Sequence, residues 1–154
     1  MAWRRARLEA EPMMIRNVFA LLLALCTAAS ATQAADVVGL WKTPVKGGVI
    51  RIERCGEAIC GRSVDSLYIR AHPDQTDVHN PDPALRGRPV KGMLILKARP
   101  LSADHWGDGT IYNPNDGATY HATFELEGGD RLKITGCLVA PLCRSQFWTR
   151  SDGG

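Results

Sequence analysis

The chain has 154 residues, of which 45% are hydrophobic and 23% are charged, and its formal net charge is +3. This length is enough for one domain with a real hydrophobic core. The low net charge excludes the strongly basic surface of a nucleic-acid-binding protein, and no run of Lys and Arg suggests a helix that lies on a membrane. Nucleic acid is therefore not an expected partner.

The N-terminal segment has the three parts of a secretory signal. Residues 17–29 are nearly all apolar and follow Arg16, and small residues come next, up to Ala34. The apolar run is shorter than the roughly 20 residues of a transmembrane helix. We therefore predict that residues 1–34 are an N-terminal extension with a cleavable signal peptide, and that 35–154 form one domain without a membrane span. Cleavage removes four Arg and two Glu, which lowers the net charge from +3 to +1.

The cysteines indicate where the protein works. Cys26 lies in the predicted signal, and the other four form two close pairs. Four cysteines allow three pairings, and the spacing favours the local one, Cys55–Cys60 with Cys137–Cys143, in which each bridge spans a tight turn. Neither pair has the spacing of a C-x-x-C redox motif or of zinc ligands. We predict structural disulfides and hence a periplasmic or secreted protein.

Short apolar or alternating stretches follow the leader, separated by turns rich in Gly, Asn and Asp. In 118–126, for example, Tyr120, Ala122, Phe124 and Leu126 alternate with polar residues, as in a strand with one buried face. The predicted strands are 38–43, 49–55, 59–65, 91–98, 105–113, 118–126, 131–138 and 143–150. Most are joined by hairpin-length turns, which favours an all-β, eight-stranded antiparallel up-and-down barrel. A sandwich of seven or eight strands is the alternative.

Residues 66–90 interrupt this regular spacing. The stretch is polar and rich in proline, which predicts one long irregular loop. Asp82 and Pro83 have the character of an N-cap and a first helical residue, so they can begin a single helical turn. A loop of this length in a compact domain is usually functional or mobile. Its histidines and carboxylates match no established metal loop, and we predict neither a metal nor any other cofactor.

The two ends of the predicted barrel resemble lipocalin-type barrels. Gly39, Leu40 and Trp41 open the first strand, and the last strand ends in FWTR. In lipocalin-type barrels a Gly-x-Trp opens the first strand, and an arginine of the last strand lies over the indole at the closed end. The resemblance implies that Trp41 closes the barrel and that Arg150 or Arg144 stacks on it, a contact of about 1–2 kcal/mol when desolvated. The alternative is a core tryptophan and a solvent-facing arginine that never meet.

A second resemblance covers essentially the whole predicted mature chain. GLWKTP, CG…ICGR, NPDPALRGRPVKGMLIL, GTIYNPNDGATY and GC…CRSQFWTR are similar to the bacterial family catalogued as domain of unknown function 2147. The resemblance implies a small exported protein with a lipocalin-like barrel, and it implies no reaction. The residues at its motif positions, which we take as candidate ligand-binding residues, are Asn80, Asp82, Arg86, Arg88, Asn113, Asp116 and Tyr120.

Two of these segments have alternative interpretations. Arg86 and Arg88, with Lys91, can hold a carboxylate or phosphate, because guanidinium groups suit bidentate oxyanions. Alternatively, the two arginines pair with acidic residues of the loop, Asp77 or Asp82, and pin it, and this is the interpretation that we favour.

The stretch YNPNDGATY is first of all a hairpin. Asp116 and Gly117 are predicted at the positive-φ positions of its turn. Asn113 and Asp116 would then lie at the barrel rim, where they can contact a ligand.

No catalytic motif is present: there is no G-x-S-x-G elbow and no recognisable acid–base carboxylate pair. The sequence therefore leans away from an enzyme. It predicts a protein that binds a small apolar or amphipathic molecule inside the barrel, with the 66–90 loop as rim or lid. The alternative is a cell-envelope interaction module with a filled barrel and an envelope protein as partner. A continuous apolar cavity of about 300 Å³ or more would favour ligand binding.

Overall fold

The computed structural model describes residues 36–151, and the predicted leader with Cys26 lies outside them. Within these residues eight antiparallel strands close into a barrel in which each strand pairs with its neighbours in the chain and β8 pairs with β1. The strands are β1 Gly39–Lys42, β2 Val49–Cys55, β3 Ala58–Asp65, β4 Leu94–Pro100, β5 His105–Asn113, β6 Ala118–Glu127, β7 Arg131–Val139 and β8 Leu142–Arg150. The predicted up-and-down barrel is confirmed, and the sandwich is excluded.

The predicted strand limits agree with the structure to within two residues, except at the start of β4. That strand begins at Leu94 rather than at residue 91. Gly92 has a φ of 81°, and the backbone N–H of Met93 donates to the carbonyl of Val90, so a turn occupies these positions. A left-handed backbone of this kind ends strand pairing and is adopted readily only by glycine.

The 66–90 loop contains two short helical pieces. The 3₁₀ turn Pro83–Leu85 begins where predicted, and the Asp82 carboxylate accepts from the backbone N–H of Ala84 at 2.9 Å. Helix α1, Leu67–Ala71, was not predicted because five residues are too few to show helical periodicity. Neither piece, nor any other helix within 36–151, has the length and apolarity needed to cross the bilayer.

One half of the barrel interior is filled with large side chains. Trp41, Ile52, Phe124, Leu132 and Trp148 are all at most 2% exposed and belong to one continuous core. They lie toward the β2–β3, β4–β5 and β6–β7 turns. Each such side chain stabilises the fold by about 1.5–3 kcal/mol through burial. This end of the barrel, here called the closed end, is therefore rigidly packed.

An arginine holds the closed end together. The guanidinium carbon of Arg150 lies 4.5 Å from the centroid of the Trp41 ring, so Arg150 and not Arg144 lies over the indole. Arg150 also donates to the backbone carbonyls of Gly129 at 2.9 Å, of Val38 at 3.0 Å and of Asp36. The guanidinium thus links the β6–β7 turn to the segment before β1.

We expect Arg150→Lys to lower the free energy of unfolding by about 1–2 kcal/mol, because one ammonium group cannot stack on the indole and reach three separate carbonyls. Urea denaturation measures the effect. Arg99→Lys is the matched control, since Arg99 is exposed and its side chain makes no hydrogen bond within the described part of the chain. Equal unfolding energies for the two variants would contradict the role given to Arg150.

The two disulfides lie at opposite ends of the barrel. Cys55 is bonded to Cys60 at the β2–β3 turn, with Cα atoms 5.8 Å apart, and Cys137 is bonded to Cys143 across β7 and β8, with Cα atoms 4.0 Å apart. Each bridge closes a short loop and contributes about 2 kcal/mol by restricting the unfolded chain. Both are therefore clamps on hairpin turns.

Candidate functional site

The other half of the barrel is hollow. A cavity of about 850 Å³ opens between the β1–β2, β3–β4, β5–β6 and β7–β8 connections, here called the open end. Its deep wall is formed by four isoleucines, one each from β2, β4, β5 and β7: Ile50, Ile95, Ile111 and Ile134. The barrel therefore has one packed half and one empty, largely apolar half.

A glycine keeps part of this space free. Gly136 lies on β7 opposite Arg144 of β8, and it lines the cavity. A Cβ atom added to it would lie 3.7 Å from Cβ of Tyr120 and 3.9 Å from Cγ2 of Ile111, which are ordinary contacts. The backbone thus has no need of glycine here, and the missing side chain leaves room in the cavity.

A buried carboxylate attaches the 66–90 loop to the barrel wall. Asp77 is fully buried, and it accepts hydrogen bonds from Tyr112 Oη at 2.6 Å, from Asn80 Nδ2 at 2.7 Å and from Arg88 Nε at 2.9 Å. Burial alone would raise the pKa of Asp77, but these hydrogen bonds and the charge of Arg88 outweigh it and hold the pKa below its usual value. Burial and the neighbouring carboxylate raise the pKa of Tyr112. Since Tyr112 belongs to β5 and lines the cavity, the network fixes the loop beside the cavity mouth.

The four candidate residues of the loop lie in this network and not in the cavity. Arg88 pairs with Asp77, as in the pinning interpretation, at 2.8 Å from Nη2 to Oδ2. Arg86 pairs with no carboxylate of residues 36–151, and its Nε donates to the backbone carbonyl of Asn80 at 2.8 Å. The Asn80 side chain in turn accepts from the backbone N–H of Asp82 at 2.9 Å. None of the four lines the cavity inside the barrel, although Asn80 and Arg88 line a smaller pocket of about 280 Å³ between the loop and β4 and β5, so their ligand role stays a prediction.

The β5–β6 turn brings the other three candidates together. Asp116 Oδ2 accepts from Asn113 Nδ2 at 2.6 Å and from Tyr120 Oη at 3.0 Å, and Oδ1 accepts from the backbone N–H of Ala118 at 2.9 Å. Asn113 and Tyr120 line the cavity, whereas Asp116 does not. The hydrogen bond to Asp116 raises the pKa of Tyr120, and the nearby charge of Arg144 opposes that effect.

The prediction for the backbone of this turn was partly wrong. Gly117 has a φ of 72°, whereas Asp116 has no positive φ. A side chain at Gly117 would also place its Cβ 2.0 Å from the carbonyl oxygen of His79. The turn therefore packs directly against the 66–90 loop and requires glycine at one position only.

Several further polar residues line the cavity that we did not select from the sequence as ligand-binding residues, among them three with long side chains. Lys46 from the β1–β2 connection and Arg144 and Gln146 from β8 all line it. Arg144, Gln146 and the buried Trp148 are every second residue of β8 and therefore lie on the same face of the strand. This spacing was the available sequence signal that Arg144 and Gln146 face inward. The cations that sequence proximity suggested, Arg86, Arg88 and Lys91, do not line it.

Nothing in the described part of the chain assembles a metal centre. No group of three or more His, Cys, Asp or Glu side chains within 36–151 is arranged to hold a metal ion. The chemistry that the cavity does offer is apolar burial below and hydrogen bonding with positive charge at the mouth.

The barrel is similar to a known structure and to a known sequence family. No curated protein matches the chain. The structure of protein HP1028 from the human pathogen Helicobacter pylori, described as belonging to the lipocalin family, is similar with a TM-score of 0.69 and 19% identity, over 77% of this chain and 84% of that one. This confirms the lipocalin-like fold. Residues 39–150, from β1 to the end of β8, match the family described as "Uncharacterized protein conserved in bacteria (DUF2147)", and the chain belongs to that family.

Proposed function

We propose that the protein binds a small apolar or amphipathic molecule in the open half of the barrel. The observation that carries this proposal is the cavity of about 850 Å³ with its isoleucine wall. Pockets that bind small molecules span about 300–1,000 Å³ and are mostly apolar with a few polar groups. The cavity is also larger than the volume of about 300 Å³ that we gave above as favouring ligand binding.

Stability alone does not account for this empty space. Close packing of apolar side chains removes more apolar surface from water than a hollow interior does, so an interior selected only for stability is filled. The closed end is filled in this way, with Trp41 and Trp148 both buried in one core. The contrast between the two halves supports a ligand as the reason for the hollow one.

The 66–90 loop serves as a rim in this proposal. Ile69 of α1 and Val90 at the end of the loop line the cavity. The network around Asp77 holds the loop against β5, and Gly117 packs against its His79. These contacts favour a fixed rim over a lid that opens and closes.

We further propose that residues 1–34 are removed on export and that residues 35–154 work in the periplasm or outside the cell. The two disulfides support this location, because such bonds persist in oxidising compartments. The export leader proposed from the sequence is the second support.

A second candidate function is contact with an envelope protein through the open end. Exposed apolar residues surround the mouth: Val45, Leu67, Leu138, Val139 and Leu142. Apolar patches of this kind often mark interaction sites. This function does not need a filled barrel, and it is compatible with a ligand inside.

Native mass spectrometry tests the ligand proposal. The protein is exported with its own leader, purified without detergent, and extracted with organic solvent. We expect a bound small molecule that is released on denaturation. Absence of any extracted molecule, together with no uptake of an apolar dye such as N-phenyl-1-naphthylamine, would overturn the proposal.

A further inference from the structure

We propose that the ligand is an amphiphile with an anionic headgroup, a carboxylate or a phosphate ester, that Arg144 binds at the cavity mouth. The apolar chain then lies among the deep isoleucines. This inference rests on the proposed function and adds the charge and the orientation of the ligand.

Arg144 is a cation without a counter-ion among residues 36–151. It lies on β8 at the open end, lines the cavity, and makes neither an ion pair nor a side-chain hydrogen bond with any residue of 36–151. Its side chain is exposed to solvent at the mouth, and it lies opposite Gly136, which also lines the cavity. A guanidinium group presents a planar set of donors that matches a carboxylate or a phosphate.

The other charged residues at the mouth do not cancel the positive charge of Arg144. Lys46, the second cation of the cavity lining, also has no ion pair within the described residues. The acidic lining residue, Asp65, is paired with Arg70. Asp116 does not line the cavity, and its two oxygens already accept three hydrogen bonds. The cavity mouth therefore favours an anion.

The cavity lining becomes less polar from the mouth to the bottom. Gln146 follows Arg144 on the inner face of β8, is half-buried, and makes no side-chain hydrogen bond with residues 36–151. Gly136, opposite Arg144, leaves space for a headgroup. Deeper in the cavity the wall consists of Ile50 and Ile134 with their neighbours. Charge at the mouth, an amide below it and hydrocarbon at the bottom match a ligand that enters with its apolar chain first.

Competition against N-phenyl-1-naphthylamine tests the inference. Four ligands with a straight chain of twelve carbons are compared below their micelle concentrations: dodecanoate, dodecyl phosphate, dodecanol and dodecyltrimethylammonium. We expect the anions to bind at least about tenfold tighter than the alcohol, as one charge-assisted hydrogen bond provides, and the cation to bind weakest. The tighter of the two anions identifies the headgroup. The preference for anions should fall as salt is added.

Matched variants test whether Arg144 causes the preference for anions. Arg144→Gln should weaken the anions by about tenfold and leave dodecanol unchanged, which also shows that the barrel is folded. Arg144→Lys should keep part of the preference, because it keeps the charge. Arg51→Gln is the control: Arg51 is exposed on the outer face of β2 and has no ion pair within 36–151.

Two outcomes overturn the inference while the proposed function stands: equal binding of dodecanol and the anions, or an anion preference that is undiminished in Arg144→Gln. If neither the dye nor any of the four ligands binds, the proposed function fails together with the inference.

Discussion

Gly136→Phe is expected to weaken binding of N-phenyl-1-naphthylamine by about 100-fold or more, equivalent to about 2.7 kcal/mol. Gly136 lines the cavity, and a Cβ atom at this position meets only ordinary contacts with Tyr120 and Ile111. A phenyl ring attached there projects into the space that the ligand needs. Phenylalanine also favours the strand conformation more than glycine, and filling a cavity does not cost packing. The variant should therefore fold and lose its binding.

Gly136→Ala is the matched control for this experiment. One methyl group fits beside Cβ of Tyr120 at 3.7 Å and occupies little of the cavity. Its dye affinity should remain close to that of the wild type. Wild-type affinity in a correctly folded Gly136→Phe protein, with the fold checked by circular dichroism, would place the ligand elsewhere.

Asp77→Asn is expected to lower the free energy of unfolding by about 2–4 kcal/mol, because the new amide N–H group faces the donors of Asn80 and Arg88. For a domain of this size the thermal midpoint should fall by roughly 10 °C. Calorimetry or urea denaturation measures the loss. Asp74→Asn is the control in the same loop, since Asp74 is exposed and its carboxylate makes no hydrogen bond within 36–151. Equal stability of the two variants would show that Asp77 does not hold the loop.

The pH dependence of this effect has a definite sign. The pKa of Asp77 is lower in the folded protein than in the unfolded chain, so its contribution to stability is present above the unfolded value of about 3.9. It is lost as the pH falls through the folded pKa. The stability difference between the wild type and Asp77→Asn should therefore stay constant near neutral pH and shrink in acid. A difference that grows as the pH falls would contradict the assigned direction.

The barrel could be predicted because the sequence patterns that indicate it involve only neighbouring residues. Period-two alternation places Ile50 and Ile52 inside and Arg51 outside from the sequence alone, and the structure buries both isoleucines. Hairpin-length turns then give the strand order. The start of β4 could not be read in this way, because residues 93–96 are apolar on both faces of the strand and show no alternation, and only the turn at Gly92 shows where pairing begins.

The site was predicted less well because its contacts are distant in sequence. Asp77 and Tyr112 are 35 positions apart, and no spacing rule links them. Arg86 and Arg88 were taken as ligand-binding candidates from their motif positions, but both bind groups of their own loop, as the favoured pinning interpretation predicted for Arg88 with Asp77. Arg144 could have been identified as an inward-facing residue, because it lies two and four positions before Gln146 and the buried Trp148 on the same strand. The sequence did not show that large side chains fill only one half of the barrel.

Methyl NMR of isoleucine-labelled protein during titration with N-phenyl-1-naphthylamine tests most directly whether the ligand occupies the open half. Two isoleucines outside the cavity, Ile52 and Ile59, serve as internal controls because they are buried away from it. We expect the dye to shift the methyl signals of the cavity isoleucines and to leave the two controls unchanged. The cavity isoleucines are Ile50, Ile69, Ile95, Ile111 and Ile134. Unshifted cavity signals at a saturating dye concentration would contradict the proposal that the protein binds an apolar molecule inside its barrel.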